Sequence, residues 1–431
     1  MKKLIYISLL FISVQTNAQI DNLSNLSAEW MRTGARNAAT NGTDIAVYNP
    51  AGLTKLEAGL HINLSNQSLF RNPSHSYDMG LGEGEKTFSQ NGSDPFLPEL
   101  YLSFNKNNWA FFGGAYISGG GATINYTDGS FTTDLIALQV IQSAGGAYMN
   151  VMNQSLKANS MYMTFMGGAA FSATKNLSFS FALRNVNAKN KTQGEMTLTA
   201  SPFDLPDQTL AIDYNENANG FGAAIGFNIN CNEKLTIAGR YESKVKLDFK
   251  TVQVADDFGI TTDGQHNRRD LPAVAALGLS YQVNTMIRSY FDFNYYFQTG
   301  ADWGKSTMAT NEAPLSSLAG NVYGIGAGIE CTLSPKFTAS IGGGYSKYMF
   351  KDKDGYYTHL GTFEVMQDNN ANINTGFAFQ ATKKMKINAG YMHTFWAKDQ
   401  TIKALLAQPL DVNIKVNNSL NAIALGVELS F

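Results

Sequence analysis

LTIAGRYESKVKLDF, residues 235–249, alternates from end to end. Leu235, Ile237, Gly239, Tyr241, Ser243, Val245, Leu247 and Phe249 interleave with Thr236, Ala238, Arg240, Glu242, Lys244, Lys246 and Asp248. Successive side chains of a strand point to opposite faces, so one face suits hydrocarbon and the other suits water. Residues 284–298 repeat the pattern, with Ile287, Phe291, Phe293, Tyr295 and Phe297 against Arg288, Asp292, Asn294 and Gln298. The chain closes the same way, setting Ile423, Leu425, Val427, Leu429 and Phe431 against Ala422, Ala424, Gly426, Glu428 and Ser430.

Working outward, such segments fall near 57–70, 98–105, 108–118, 158–172, 175–190, 218–230, 233–250, 270–282, 285–299, 319–332, 336–349, 371–382, 384–397 and 418–431, fourteen in all. Their connections alternate in length. Tight turns such as Asn105-Lys106-Asn107, Asn230-Cys231-Asn232-Glu233 and Ser334-Pro335 separate seven long polar stretches, roughly 71–97, 119–157, 191–217, 251–269, 300–318, 350–370 and 398–417. An even strand count with short turns at one end and long loops at the other is the pattern of a bacterial outer-membrane barrel. A soluble sandwich or propeller also alternates, but gives no reason for apolar outward faces on nearly every strand. The expected fold is therefore all-β, a transmembrane antiparallel β-barrel of about 14 strands over residues 57–431, with both chain ends on the periplasmic side.

The rest of the composition agrees. Residues 1–18, MKKLIYISLLFISVQTNA, read as a cleaved signal peptide: two lysines, an apolar run, then small residues before Gln19. Gln19 is not a cysteine, so no lipid anchor is suggested. The remaining chain has no apolar run near the ~20 residues of a membrane helix, which leaves a closed barrel as the route across lipid. A net charge of -2 offers nothing to nucleic acid. Cys231 and Cys331 fall near separate hairpin ends and are not expected to pair. Residues 300–306, GADWGKS, fall one residue short of a phosphate loop, and Asp352-Lys-Asp354-Gly355 reads as a solvent turn rather than a calcium loop. The five scattered histidines accompany no recognisable nucleophile. No catalytic residue, metal site or cofactor is expected, and the chain reads as a non-enzyme.

Residues 19–56 do not alternate. They contain GARNAATNGTDIAVYNPAGLTKL (34–56), a small-residue stretch with room for short helices and a turn at Asn49-Pro50. A barrel this wide leaves a lumen its own side chains cannot fill, so an N-terminal plug is a reasonable use of the segment. The run from Gly34-Ala35 through Asp44, Tyr48, Asn49, Pro50, Ala51, Gly52 and Leu53 resembles the N-terminal hatch of the FadL/TodX family. With the leader, the strand count and terminal Phe431, the resemblance spans effectively the whole chain.

The family consists of outer-membrane transporters of long-chain fatty acids and aromatic hydrocarbons. The resemblance implies passive uptake of a hydrophobic small molecule, captured among outer loops and released sideways into membrane lipid through the barrel wall. The alternative is a family barrel repurposed as a structural or secretion component with protein partners, which sequence does not identify. The resemblance places Asn49, Pro50 and Ala51 in the hatch, brings residues 19–23 toward the ligand, and sets a lateral opening at a kink in the third strand. Gly119, Gly120 and Gly121 follow that strand and mark either a broken edge or a flexible loop start. Leu135, Ile136, Leu138 and Ile141 in the longest loop suit either capture of an apolar ligand or packing of the loop on its neighbours. A carboxylate cargo would need a cation. Parity turns Arg184, Lys244 and Lys246 toward the lumen, where they either meet substrate or line a polar interior beside Glu242 and Asp248.

Overall fold

The computed structural model describes residues 27–90, 92–120, 123–304, 314–361, 363–364, 366–398, 400–406 and 411–431; the expected leader, residues 19–26 and Gly121 lie outside them. The strands are, in chain order, β1 Gly59–Arg71, β2 Ser74–Tyr77, β3 Lys86–Ser89, β4 Gly92–Lys106, β5 Trp109–Gly120, β6 Ile124–Tyr126 and β7 Asn150–Ser172. There follow β8 Leu177–Thr199, β9 Gln208–Asn230, β10 Leu235–Glu242, β11 Asp248–Asp256, β12 His266–Arg268, β13 Ala273–Gln282 and β14 Ile287–Phe297. The last are β15 Val322–Ser334, β16 Phe337–Tyr348, β17 Asn370–Thr382, β18 Met385–Trp396, β19 Gln400–Ala404, β20 Val412–Asn417 and β21 Ser419–Ser430.

Seventeen of these segments make the expected fourteen-strand wall, because three wall strands are interrupted: β5 with β6, β10 with β11, and β12 with β13. Each pairs antiparallel with its neighbour in the chain, and β1 pairs with β21 from His61↔Ser430 to Arg71↔Leu420, closing the barrel. Closure leaves no whole strand with a free edge in lipid, the exception being a short stretch between β4 and β5 described below. Leu183, Phe221, Ile225, Leu277, Ile341 and Leu425 stand exposed on the outer face. So many large apolar groups would be an anomaly in water and are ordinary against hydrocarbon. Near the short turns, Trp109 packs at a tilt against Phe171 (4.7 Å between rings) and Phe337 stacks on Phe377 (5.6 Å), as in an interfacial aromatic girdle. Cys231 and Cys331 are free.

One expectation of facing is wrong. The 235–249 alternation is continuous, but the strand is not. β9 pairs with β10 at Thr236↔Asn230 and with β11 at Lys250↔Asn217, so one extra residue has entered the seventh strand between them. An unmatched residue exchanges the two faces of everything beyond it. Tyr241 therefore faces lipid as expected, whereas Val245, Leu247 and Phe249 turn inward and are fully buried beside Tyr162, Val186 and Leu271. Lys246 is exposed rather than luminal.

The long connections build a cap. β19, β20, β2 and β3 form a second, four-stranded sheet. Against it pack helices α3 (Phe131–Ser143), α4 (Leu315–Ala319) and α5 (Lys353–Leu360) around Tyr77, Phe131, Trp303, Tyr357 and Ile414. Asp352, expected in a solvent turn, instead caps α5 by accepting from Gly355 N at 2.9 Å.

Residues 27–56 lie inside the barrel as two short helices, α1 (Ala28–Thr33) and α2 (Ile45–Tyr48), and a 3-10 turn, Pro50–Lys55. Ser27 caps the first through Trp30 N (3.0 Å), and Gly34 ends it at φ +72, a left-handed conformation glycine adopts at no steric cost. Backbone meets wall directly here. A Cβ on Gly328 or Gly342 would fall on Thr33 O, and one on Gly390 would approach Arg32 N. We expect Gly342→Val to leave the barrel assembled but displace the plug, giving steady ion conductance in planar bilayers where the parent conducts little. Unchanged conductance would show that the contact does not seat the plug.

Candidate functional site

The lumen is built around a polar plug. Arg36 grips Asp44 through Nη2–Oδ1 at 2.6 Å and Nε–Oδ2 at 2.9 Å, both side chains fully buried. Ser27 Oγ also donates to Asp44 (3.0 Å), and Arg36 Nη1 donates to Asn41 (2.7 Å). A two-pronged pair of this kind fixes direction as well as charge. The wall answers with side chains on its water-facing register. Asp292 of β14 accepts from the Arg36 and Asn37 backbone (2.6 and 3.0 Å). Glu330 of β15 pairs with Arg32 (2.5 Å), while Asn63 and Asn388 both donate to Glu29 (2.7 and 2.6 Å). Glu428 of β21 accepts from Thr43 N and Oγ1 (2.9 Å each). Asn49 donates to Phe227 O (2.8 Å) and caps the following turn through Ala51 N (3.2 Å), with Pro50 at its first position. The Asn49-Pro50-Ala51 run thus sits in the plug, holding it to β9.

Above the plug is a cavity of about 170 Å³. Trp30 forms its floor; Tyr296, Tyr348, Met392 and Trp396 form apolar walls; Asn294, Asn370 and Asn372 supply amides; Met366 and Gln367 roof it. Arg71 is the one charged side chain on the described lining, and it is partnered by Asp94 at 3.8 Å. None of Leu135, Ile136, Leu138, Ile141, Arg184, Lys244 or Lys246 lines this cavity. Leu135 and Ile136 are buried in the cap and Leu138 is exposed on it. Arg184 is held by Glu242 and by Ser243 O (3.0 Å), and Lys244 reaches Gly300 O (2.8 Å) and Asp270 (3.5 Å). The tryptophans and methionines at the cavity escaped sequence reading. Met392, Thr394 and Trp396 do share one face of β18 by parity, and that was the available signal.

The wall changes beside the cavity. β4 follows β1 up to Gly92↔Arg71, but its ladder with β5 runs only from Lys106↔Trp109 to Leu100↔Ala115. Above that level β5 pairs with β7 alone, with a bulge between Ile117 and Gly119, and Gly120 adopts φ +73. The unpaired part of β4 contains Pro95 and Pro98, which lack backbone donors. A polar clasp, Asp94 with Thr123 Oγ1 and Gln90 Nε2 with Thr123 O (3.2 Å), closes the top. Between clasp and ladder, no main-chain pairing joins β4 and β5 among the described residues.

No family model matches the chain, and no curated protein matches it. Solved structures do. A Pseudomonas aeruginosa FadL homologue superposes with a TM-score of 0.68 at 13% identity, covering 95% of this chain and 98% of that one. The fold is of the FadL/TodX type. The Pseudomonas putida toluene transporter TodX gives 0.64 at 12% identity over 96% and 100% of the two chains, and the Ralstonia pickettii toluene transporter TbuX 0.58 at 15% over 96% and 99%. In this FadL/TodX-type barrel residues 27–56 lie inside the lumen.

Outside the membrane, His75 of the cap is buried between Phe88 and Tyr126 (ring centres 5.6 and 5.1 Å), and its Nε2 accepts from Phe131 N at 3.0 Å. Burial pushes its pKa below the ordinary histidine value, against the opposing pull of Glu364 and Asp134. The folded cap therefore resists a proton that the opened cap takes up below about pH 6.5. Amide protection of residues 131–143 by hydrogen exchange is expected to fall from pH 8 to pH 5, and His75→Gln to flatten that dependence. Equal protection at both values would contradict the assignment.

Proposed function

We propose that the protein is a passive outer-membrane importer of compact, neutral hydrophobic molecules, which rest in the cavity above the plug and leave sideways between β4 and β5 into membrane lipid. One observation carries this reading. A single apolar cluster contains Leu97 and Ile117 at the wall gap together with Met392, Leu420, Trp30 and Trp396 at the cavity, and Met163 beyond Ile117 on the outer face. The plug fills the straight path through the lumen, and this cluster supports an apolar route from the cavity to the wall gap.

Size and charge define the cargo class. A cavity of about 150 Å³ is enough to hold benzene in a protein interior, so about 170 Å³ suits one small ring system rather than an extended acyl chain. The only charged group on the described lining already has a carboxylate partner, so a fatty-acid headgroup would find no free cation there. Two tryptophans, two tyrosines and two methionines offer faces and sulfurs to an aromatic ring. The similar TodX and TbuX structures are described as toluene transporters, which agrees with this class.

The experiment is a charge placed in the track. Leu97→Glu should lower uptake of radiolabelled toluene into cells by about tenfold, because a buried carboxylate there costs several kcal/mol. Toluene binding to the purified variant should be retained. Trp30→Ala should do the reverse, weakening binding first. Undiminished uptake by Leu97→Glu would sink the lateral route.

A further inference from the structure

The outward face of the longest strands carries a patch that transport does not use. β7, β8 and β9 each run 23 residues, well beyond the lipid-facing belt. On β8 the outward residues are Phe179, Phe181 and Leu183, then Asn185 and Asn187, then Lys189 and Lys191, the two lysines exposed. Lys189 lies opposite Asn217 of β9, and Asn217 lies opposite Lys250 of β11, so the two lysines flank one residue on the same face. Lys157 of β7 stands beside them, opposite Gln193 and one pair above Lys191, whose partner on β7 is Asn159. Strands are about 4.8 Å apart, which places Lys189 and Lys250 roughly 10 Å from one another.

Height decides what they meet. Lys189 is ten residues above Phe179 in the turn-side aromatic girdle. At about 3.4 Å per residue and a tilt of about 40°, that is roughly 25 Å, the height of the apolar band of such barrels. The lysines therefore emerge where the outer leaflet turns from acyl chain to headgroup. Nearby acids are mostly engaged: Asp213 with Lys191 at 3.9 Å and with Gln193 at 2.8 Å, and Asp248 with His266 at 2.9 Å. Among the described residues no ion pair involves Lys157, Lys189 or Lys250.

We propose that Lys189, Lys191 and Lys250, supported by Lys157, form a binding site for the phosphates of outer-leaflet glycolipid. The inference rests on charge complementarity at headgroup height: an ammonium on a long stem meets a phosphate as a point charge, with its stem against the acyl region. The one-residue slip in the seventh strand contributes directly, because it is what turns Lys250 outward beside Asn217. In the unslipped register Lys250 would face the lumen.

The test uses full-length protein freed of lipid in detergent and native mass spectrometry with bis-phosphorylated lipid A, its dephosphorylated form, and inorganic phosphate. The phosphorylated lipid should be retained at least about tenfold more strongly than the dephosphorylated one, given the usual contribution of a basic residue at an anionic surface. The triple variant Lys189→Gln/Lys191→Gln/Lys250→Gln should lose that preference. Lys347→Gln, on the outward face of β16, should keep it, and millimolar inorganic phosphate should not displace the lipid. Equal retention of the two lipids, an equal loss in Lys347→Gln, or displacement by inorganic phosphate would each overturn the proposal. Should the triple variant fail to assemble, Lys189→Gln and Lys250→Gln separately carry the same expectation at a few-fold each, and no change in either would overturn it.

Discussion

The pairing of β1 with β21 is the constraint from which the rest follows. Within hydrocarbon an unpaired main-chain group costs several kcal/mol, so a sheet that enters a membrane must close on itself. Closing fourteen strands fixes a circumference, and that circumference leaves a lumen too wide for the wall's own side chains to fill. Residues 27–56 are the consequence. They bring polar main chain into the lumen, and the wall meets it with Asp292, Glu330, Asn388 and Glu428 on strands whose other face is apolar.

A plug held this way is specific rather than merely bulky. Arg36 and Asp44 satisfy one another inside the plug, which leaves Asp292 free to accept plug backbone rather than a side chain. Loss of either member of a buried pair typically costs about 3–5 kcal/mol, because the survivor is stranded away from water. Glycines on β15, β16 and β18 let the plug backbone lie on the wall with no side chain between. With the straight path filled, the proposed route for a molecule entering from outside is through the wall. There the ladder between β4 and β5 ends early, and an apolar cluster leads to the break.

Much of this was legible in the sequence, for a physical reason. A barrel strand separates two solvents, so period-two alternation states both that a strand exists and which way it faces; all fourteen wall strands were located by it. The plug was legible as its absence. The reversal in the seventh strand was not, because Val245, Leu247 and Phe249 are apolar whether they face lipid or a buried luminal cluster. Alternation alone cannot tell two apolar destinations apart, and a single inserted residue leaves the pattern intact. The cap sheet was missed differently. Val412, Ile414 and Val416 alternate with Asn413, Lys415 and Asn417 inside a connection whose length and polarity predict a loop. The cavity draws single residues from many strands, Trp30 and Trp396 among them, and only the closed register brings them together.

Where a hydrophobic molecule goes after it passes the cap decides between a sideways and a straight route. A crystal structure of the protein soaked with bromotoluene, with bromine located by anomalous scattering, reads this directly. The expected result is one site over Trp30 in the cavity and a second between Leu97 and Ile117, where β4 and β5 part. Bromine along the plug toward the periplasmic turns, with none at the wall gap, would contradict a sideways exit.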